Sequence, residues 1–337
     1  MPAVPVSPPA HLATICRGTA LEAVIRGHVA VVGSAGEILA AAGDPETVTT
    51  LRSCAKPVQA LPLVRSGDQL ALTDEEVAVA CASHGGEPVH VAVVRRLLGR
   101  AGLDDDALLC GPQLPMDDPS AEDILAAGGR AAAITNNCSG KHAGMLAVCV
   151  ARGWRVADYT DFDHPLQAEI RAIMTGLAGV DVDSAPVGID GCGLPTHGLP
   201  LAALARMFGA AAAEPAFRRC QDAMATHPHM VAGRGRFDTA ILSVAGSRLT
   251  VKGGAAGVWV AARRPAGPGL AIKLEGGDQF AMSAVALAAL QHLGWLSEAE
   301  AADPRLAGFA QPPVRNWAGA DVGAITAEPG WAESLAR

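Results

Sequence analysis

The chain has 337 residues, half of them hydrophobic and 18% charged, enough for a large buried core and unlike a disordered polymer. Acidic residues outnumber basic ones 34 to 26, the net charge is −8, and no basic run occurs, so nothing in the charge pattern suits a phosphate backbone. No apolar segment approaches the roughly 20 residues of a membrane helix, and the proline-rich start does not read as a signal peptide, so the expected address is the cytoplasm.

In chain order, Leu21 to Val32 and Glu37 to Ala41 are apolar runs joined by Gly33-Ser34-Ala35-Gly36, a hairpin signal. Residues 53–64, 74–82, 89–101, 139–151, 165–177, 201–208 and 214–225 then suit helices. Three β-rich runs follow, 248–252, 258–263 and 270–274. Gly253-Gly254 and a Pro/Gly segment at 265–269 separate them, which reads as an antiparallel meander. A last helix is expected over 281–293. No long repeat is visible. The economical fold is α/β (α+β): an antiparallel sheet from both chain ends, flanked by helices, with a helical subdomain inserted between. Residues 1–50 and 240–337 would form the sheet subdomain and 51–239 the helical insert, in one catalytic unit. Serine β-lactamases, penicillin-binding proteins and serine glutaminases share that plan, an analogy of layout.

Ser53-Cys54-Ala55-Lys56 follows the hairpin at the start of a predicted helix. Spacing of three puts Ser53 and Lys56 on one helical face, where a neutral amine can take the serine proton. Burial or a nearby cation must lower the lysine from its usual ~10.4 for that. A helix cap followed by a surface lysine is the plain alternative. Ser83, in Cys81-Ala82-Ser83-His84, and Lys252, before Gly253-Gly254, occupy the places of the second serine and the strand lysine in the lactamase-like plan. Together they give two expected pairs, Ser53–Lys56 and Ser83–Lys252. Taken singly, each is an ordinary helix stop or a solvated turn lysine.

Of the eight cysteines, most read as small buried hydrophobes. Cys138 and Cys192 are set apart by their surroundings. Cys138 lies in Asn136-Asn137-Cys138-Ser139-Gly140-Lys141-His142, at the start of a helix, where a thiolate is favoured. Cys192 lies in the turn Gly188-Ile189-Asp190-Gly191-Cys192-Gly193. Two thiolates with nitrogen donors suit zinc, although no C-x-x-C or H-x-x-x-H pair accompanies them.

Arg52-Ser53-x-x-Lys56-Pro57, Cys81-x-Ser83-His84, Asn137-Cys138-Ser139-Gly140-Lys141-His142, Gly188-x-Asp190-Gly191-Cys192, His227-Pro228, Gly233-x-Gly235-Arg236-x-Asp238-Thr239 and Lys252-Gly253-Gly254-Ala255 occur in order along nearly the whole chain. This set resembles the Rhizobium etli-type L-asparaginases, of the asparaginase II family. The resemblance implies a β-lactamase/glutaminase-like fold, usually a homodimer, hydrolysing L-asparagine to aspartate and ammonia. It also implies zinc held by Cys138, Lys141 and Cys192. Ser53, Lys56, Ser83 and Lys252 are then the expected catalytic residues, with Ser53 attacking. Arg52 is expected at the substrate carboxylate and Asp190 at its ammonium, with His84, Asn137 and His142 completing the substrate site. One departure is Ala256, where relatives commonly carry a glutamate near Lys252. The competing readings are a glutaminase or other small-amide serine hydrolase, and a non-catalytic zinc-stabilised amino-acid-binding protein.

Overall fold

The structure, a computed structural model, describes residues 7–277 and 279–336; most of the proline-rich start lies outside them. The strands are β1 (Ala10–Arg17), β2 (Ala20–Val32), β3 (Ile38–Ala42), β4 (Val48–Thr50), β5 (Val187–Ile189), β6 (Pro195–Pro200), β7 (Leu249–Gly254), β8 (Val258–Arg263), β9 (Gly269–Leu274), β10 (Pro313–Arg315) and β11 (Asp321–Ala327). Among the described residues, eight of them build one antiparallel sheet in the order β10-β11-β1-β2-β9-β8-β7, with β3 also on β2.

The thirteen-residue β2 is the spine of this sheet. Its first half pairs with β1 (Ala10 opposite Gly27), its second half with β3 (Val29 opposite Ala42). On its other edge it pairs with β9, Val29 opposite Ile272. Residues from both chain ends are therefore neighbours, as the hairpin and meander predicted. Strands β8 and β9 are buried along almost their whole length, because helices cover the sheet, and they read as continuous apolar runs rather than alternating ones. The helix Leu201–Ala211 packs on β2, β8 and β9, and the helix Met282–His292 against β1 and β11.

Two features depart from the sequence expectation. Strands β1, β4, β5, β6, β10 and β11 lie outside the runs expected as strands; β1 is mostly half-buried and lacks a clean alternation. The helix expected over 53–64 is broken into a 3-10 turn, Arg52–Ala55, and two short helices, Lys56–Gln59 and Leu61–Arg65. Pro57 and Pro62 explain the breaks, since neither has an N–H for the helical ladder. The carbonyl of Ser53 accepts instead from the N–H of Lys56.

A second, three-stranded sheet, β4-β6-β5, forms beside this turn. Strand β4 runs directly into the turn and pairs with β6, Thr50 opposite Gly198, and Leu51 N–H continues the ladder to His197 O at 3.0 Å. The turn that carries Ser53 is thus clamped to two separate sheets.

Candidate active site

Three segments meet at one cleft of 760 Å³: the 3-10 turn with Ser53, the end of the helix Asp74–Ala80 with Ser83, and β7 with Lys252. Asn137 and Arg236 line it too, and Trp259 and Phe309 give it apolar wall. Strand β7 approaches the turn so closely that a Cβ on Gly254 would stand 3.0 Å from Cys54 Sγ and 3.3 Å from Cys54 N. The Cys54 thiol also donates to Lys252 O at 3.3 Å. Gly254 is needed for this approach of strand to turn, while a Cβ on Gly253 would stand 3.2 Å from Asp238 Oδ2.

Ser83 Oγ is the centre of the arrangement. Lys56 Nζ donates to it at 2.9 Å and Lys252 Nζ at 3.0 Å. Lys56 is completely buried and also donates to Ala82 O at 2.7 Å and Asn137 O at 3.4 Å. Burial draws its pKa down to about 8, with the nearby Lys141 and Lys252 cations acting the same way against the thiol of Cys138. Lys252, equally buried, donates to Gly253 O at 2.6 Å.

The pairing Ser53–Lys56 expected from spacing is not the hydrogen bond formed: both lysines reach Ser83. The cause is that a buried ammonium takes every acceptor within reach, and the Ala82–Ser83 turn offers two. The Ser53 hydroxyl lines the cleft and makes no hydrogen bond to another described residue.

Arg52 and Asp190 were expected to meet the two charged ends of a substrate. They pair with each other: Arg52 Nε and Nη2 both lie 2.9 Å from Asp190 Oδ1. Arg52 has φ +45°, a left-handed conformation that strains a residue with a side chain. The Asp190 pair and the bond from its own N–H to Thr196 Oγ1, at 3.3 Å, hold it there, so the small sheet fixes the residue before Ser53.

His84 and His142 are fully buried and do not line the cleft. His84 Nδ1 accepts from Gly86 N–H at 3.1 Å, and its Nε2–H reaches Ser139 Oγ at 3.1 Å, whose own proton goes to Ile134 O. Burial, then His90 and Lys56, keep His84 neutral, so it braces the Ser83 turn against the helix Ser139–Ala151. His142 Nδ1 and Tyr159 OH share a hydrogen bond of 2.6 Å.

Cys138, Lys141 and Cys192 converge, all less than 7% exposed. Lys141 Nζ donates to Cys192 Sγ at 3.1 Å. Cys138 Sγ lies 3.0 Å from Asn137 Oδ1, and the Cys192 thiol, then Lys56 and Lys141, holds the Cys138 thiol well below the ordinary range, while Cys192 is pushed up. Although burial opposes it, the charge of Cys138, followed by Cys192, keeps the Lys141 amine protonated. Two sulfurs and an amine meeting in a closed site fit zinc, provided the lysine and one thiol give up their protons to the metal. Gly140 lets this helix sit close to its neighbour, since a Cβ there would be 2.2 Å from Val79 O.

Two residues carry more of the site than sequence reasoning gave them. Asp238 accepts from Gly253 N–H at 2.7 Å and Trp259 Nε1–H at 3.0 Å, with its carboxylate 3.7 Å from Lys252 Nζ. Ala256, in contrast, is exposed with φ +59° on the β7–β8 turn, so the carboxylate beside Lys252 comes from Asp238. Arg236 lines the cleft with no carboxylate partner among the described residues. Both stand in the Gly233–Thr239 block, whose spacing alone does not reveal which strand it faces.

A family profile described as L-asparaginase II matches residues 13–327. The chain belongs to the L-asparaginase II family. The curated proteins hold no significant match to it. Membership of the L-asparaginase II family places the chain among asparaginase-like hydrolases, for which a small amide is the substrate class. Among the described residues no helix is long and apolar enough to cross a membrane.

Proposed function

We propose that this chain hydrolyses L-asparagine to L-aspartate and ammonia through an acyl-enzyme on serine. The observation that carries the reading is the serine–lysine cluster: two buried amines on Ser83 Oγ, at 2.9 and 3.0 Å, beside the Ser53 hydroxyl in one cleft.

The hydrogen bonds favour different roles for the two serines. A hydroxyl oxygen has two lone pairs, and at Ser83 both are taken by lysine N–H donors, leaving only its proton to give. Such a group suits delivery of a proton to a leaving nitrogen. Ser53 keeps its lone pairs for attack. Lys56, near pKa 8, is neutral often enough at neutral pH to accept the Ser53 proton, and rotation about the Ser53 side-chain bond is the motion this needs. The new C–O bond expels ammonia, which takes its proton from Ser83, refilled by Lys56 or Lys252. Water then attacks the ester and aspartate leaves. Arg236, which lines the cleft with no carboxylate partner among the described residues, is the better candidate for the substrate carboxylate than Arg52, whose guanidinium is held by Asp190. Zinc bound by Cys138, Lys141 and Cys192 would be charge-balanced by its two thiolates and would act as a brace at the start of the helix Ser139–Ala151; none of the steps above uses it.

The cleft is large for asparagine alone, so glutamine and other small amides are the competing substrates. Ammonia release from purified protein, with asparagine and with glutamine, tests the proposal. Asparagine should give the higher kcat/KM, and Ser53→Ala should abolish turnover. Absence of ammonia release from either amide by folded protein, with and without added zinc, would remove the hydrolase reading.

A further inference from the structure

Behind the Ser83 turn lies a second group of ligand atoms that the reaction does not use. Glu87, the N-cap of the helix Pro88–Arg100, His90 in its first turn, and His229 in the helix Pro228–Ala232 bring one oxygen and two nitrogens within 4.8 Å of one another. Glu87 Oε2 is 3.0 Å from His229 Nε2, and Glu87 Oε1 is 3.8 Å from His90 Nδ1. The Glu87 and His90 side chains are 6% and 0% exposed, whereas His229 is 42% exposed and opens the group to solvent.

The tautomer of His90 decides what this group wants. Its Nε2 lies 2.9 Å from His229 O, a carbonyl that can only accept, so the ring proton is on Nε2. Nδ1 is left with a bare lone pair, buried without any hydrogen-bond partner and turned toward a carboxylate. A lone pair facing an anion in a dry setting is repulsive unless a cation stands between them.

We propose that Glu87, His90 and His229 form a site for a divalent transition metal of the zinc class, separate from the Cys138, Lys141 and Cys192 group. Two imidazoles and one carboxylate are a donor set such ions accept, with a fourth position left for water. The bond from His90 Nε2–H to a backbone carbonyl is the outer support that ligating histidines ordinarily have. Arg234 now shares Glu87: its N–H donates to Oε1 at 3.0 Å, and its guanidinium lies 3.6 Å from Oε2 and 3.4 Å from Asp117 Oδ1. That side chain is 62% exposed and can swing outward when a metal takes the carboxylate. The rings of His84, His90 and His229 form a stack, with centroids 5.0 and 5.3 Å apart, reaching from beside Ser83 to the site. A metal there would tie the helix Pro228–Ala232 to the start of Pro88–Arg100 and steady residues 232–236, three of which line the cleft.

Cobalt(II) titration of the metal-free protein, followed by absorption and by metal analysis after desalting, tests this without any activity measurement. The expected result is an equivalent of cobalt bound without a thiolate charge-transfer band. His229→Ala and Glu87→Gln, each checked for an unchanged near-ultraviolet circular dichroism spectrum, should weaken that equivalent more than tenfold, beyond the tenfold lower end for losing an outer-shell partner. Both variants should leave any thiolate-bearing equivalent in place, so failure of the thiol site and failure of this one are told apart. Arg234→Gln should tighten binding. Uptake only with a thiolate band, or uptake without that band that is unchanged in His229→Ala, would overturn the proposal.

Discussion

Asp238 holds its carboxylate 3.7 Å from the amine of Lys252 while its two oxygens accept from Gly253 N–H and Trp259 Nε1–H. The carboxylate is therefore fixed before any substrate arrives, and it balances one of two cations facing Ser83. Asp238→Asn keeps an acceptor but removes the charge. Lower kcat for amide hydrolysis is expected, by about tenfold or more, with an altered basic limb in the pH profile. Asp238→Ala also strands two buried donors, at about 1–3 kcal/mol each, and should lower Tm clearly more than the asparagine variant.

The pH dependence follows from Lys56. With its pKa near 8, the amine is protonated below that pH and free as a base above it. Measured as kcat/KM against pH, activity should rise about tenfold per unit below pH 8 and level off above it. Lys56→Arg, cationic throughout, should abolish the rise together with the activity. A flat profile from pH 6 to 9 would show that Lys56 is not the base.

Ser53 and Ser83 separate by kinetics. Ser53→Ala should lose turnover completely, whereas Ser83→Ala should retain slow acylation, with kcat reduced about 10²–10⁴-fold as for loss of a proton-transfer group. Stopping the Ser83→Ala reaction with acid and finding the acyl group on a peptide containing Ser53 would support the assignment. The same mass on no peptide, with Ser53→Ala still active, would reverse the roles.

Arg236→Gln addresses substrate capture. A charge-assisted hydrogen bond contributes about 1.5–3 kcal/mol, so KM for asparagine should rise roughly 10–100-fold with a smaller change in kcat. Arg52→Gln should behave differently. It breaks the pair with Asp190, releases the strained turn, and so should lower kcat and Tm together.

The glycine contacts give a structural check. Gly254→Ala sets a methyl group 3.0 Å from Cys54 Sγ and should push the Ser53 turn away, lowering kcat more than stability. Gly140→Ala meets a backbone carbonyl, Val79 O, at 2.2 Å, and overpacking of that kind costs about 1–3 kcal/mol or more. Thermal melts and kcat for both variants should therefore rank in opposite orders.

Much of the scaffold was legible because local pattern and final structure agree. The hairpin glycines, the three apolar runs of the meander and the helix Ser139–Ala151 all follow from period and punctuation. Cys138 and Lys141 share that helix start, so their proximity was a matter of spacing. The Pro57 and Pro62 breaks were also written in the sequence, although apolar periodicity over the same residues suggested a continuous helix.

What sequence by itself determined, then, is which residues have chemistry to offer and on what kind of element each one sits: Ser53 and Lys56 one turn apart, Ser83 at a helix stop, Lys252 before two glycines, Cys138 and Lys141 at a helix start. Only the tertiary structure decided who meets whom. Lys56 passes over its neighbour in sequence for Ser83, Arg52 takes Asp190, Asp238 rather than residue 256 answers Lys252, and Glu87, His90 and His229 form a group. The physical reason is that a buried charge must be satisfied by whatever acceptor the packing brings within about 3 Å, and packing is set by the whole core, which no local spacing encodes.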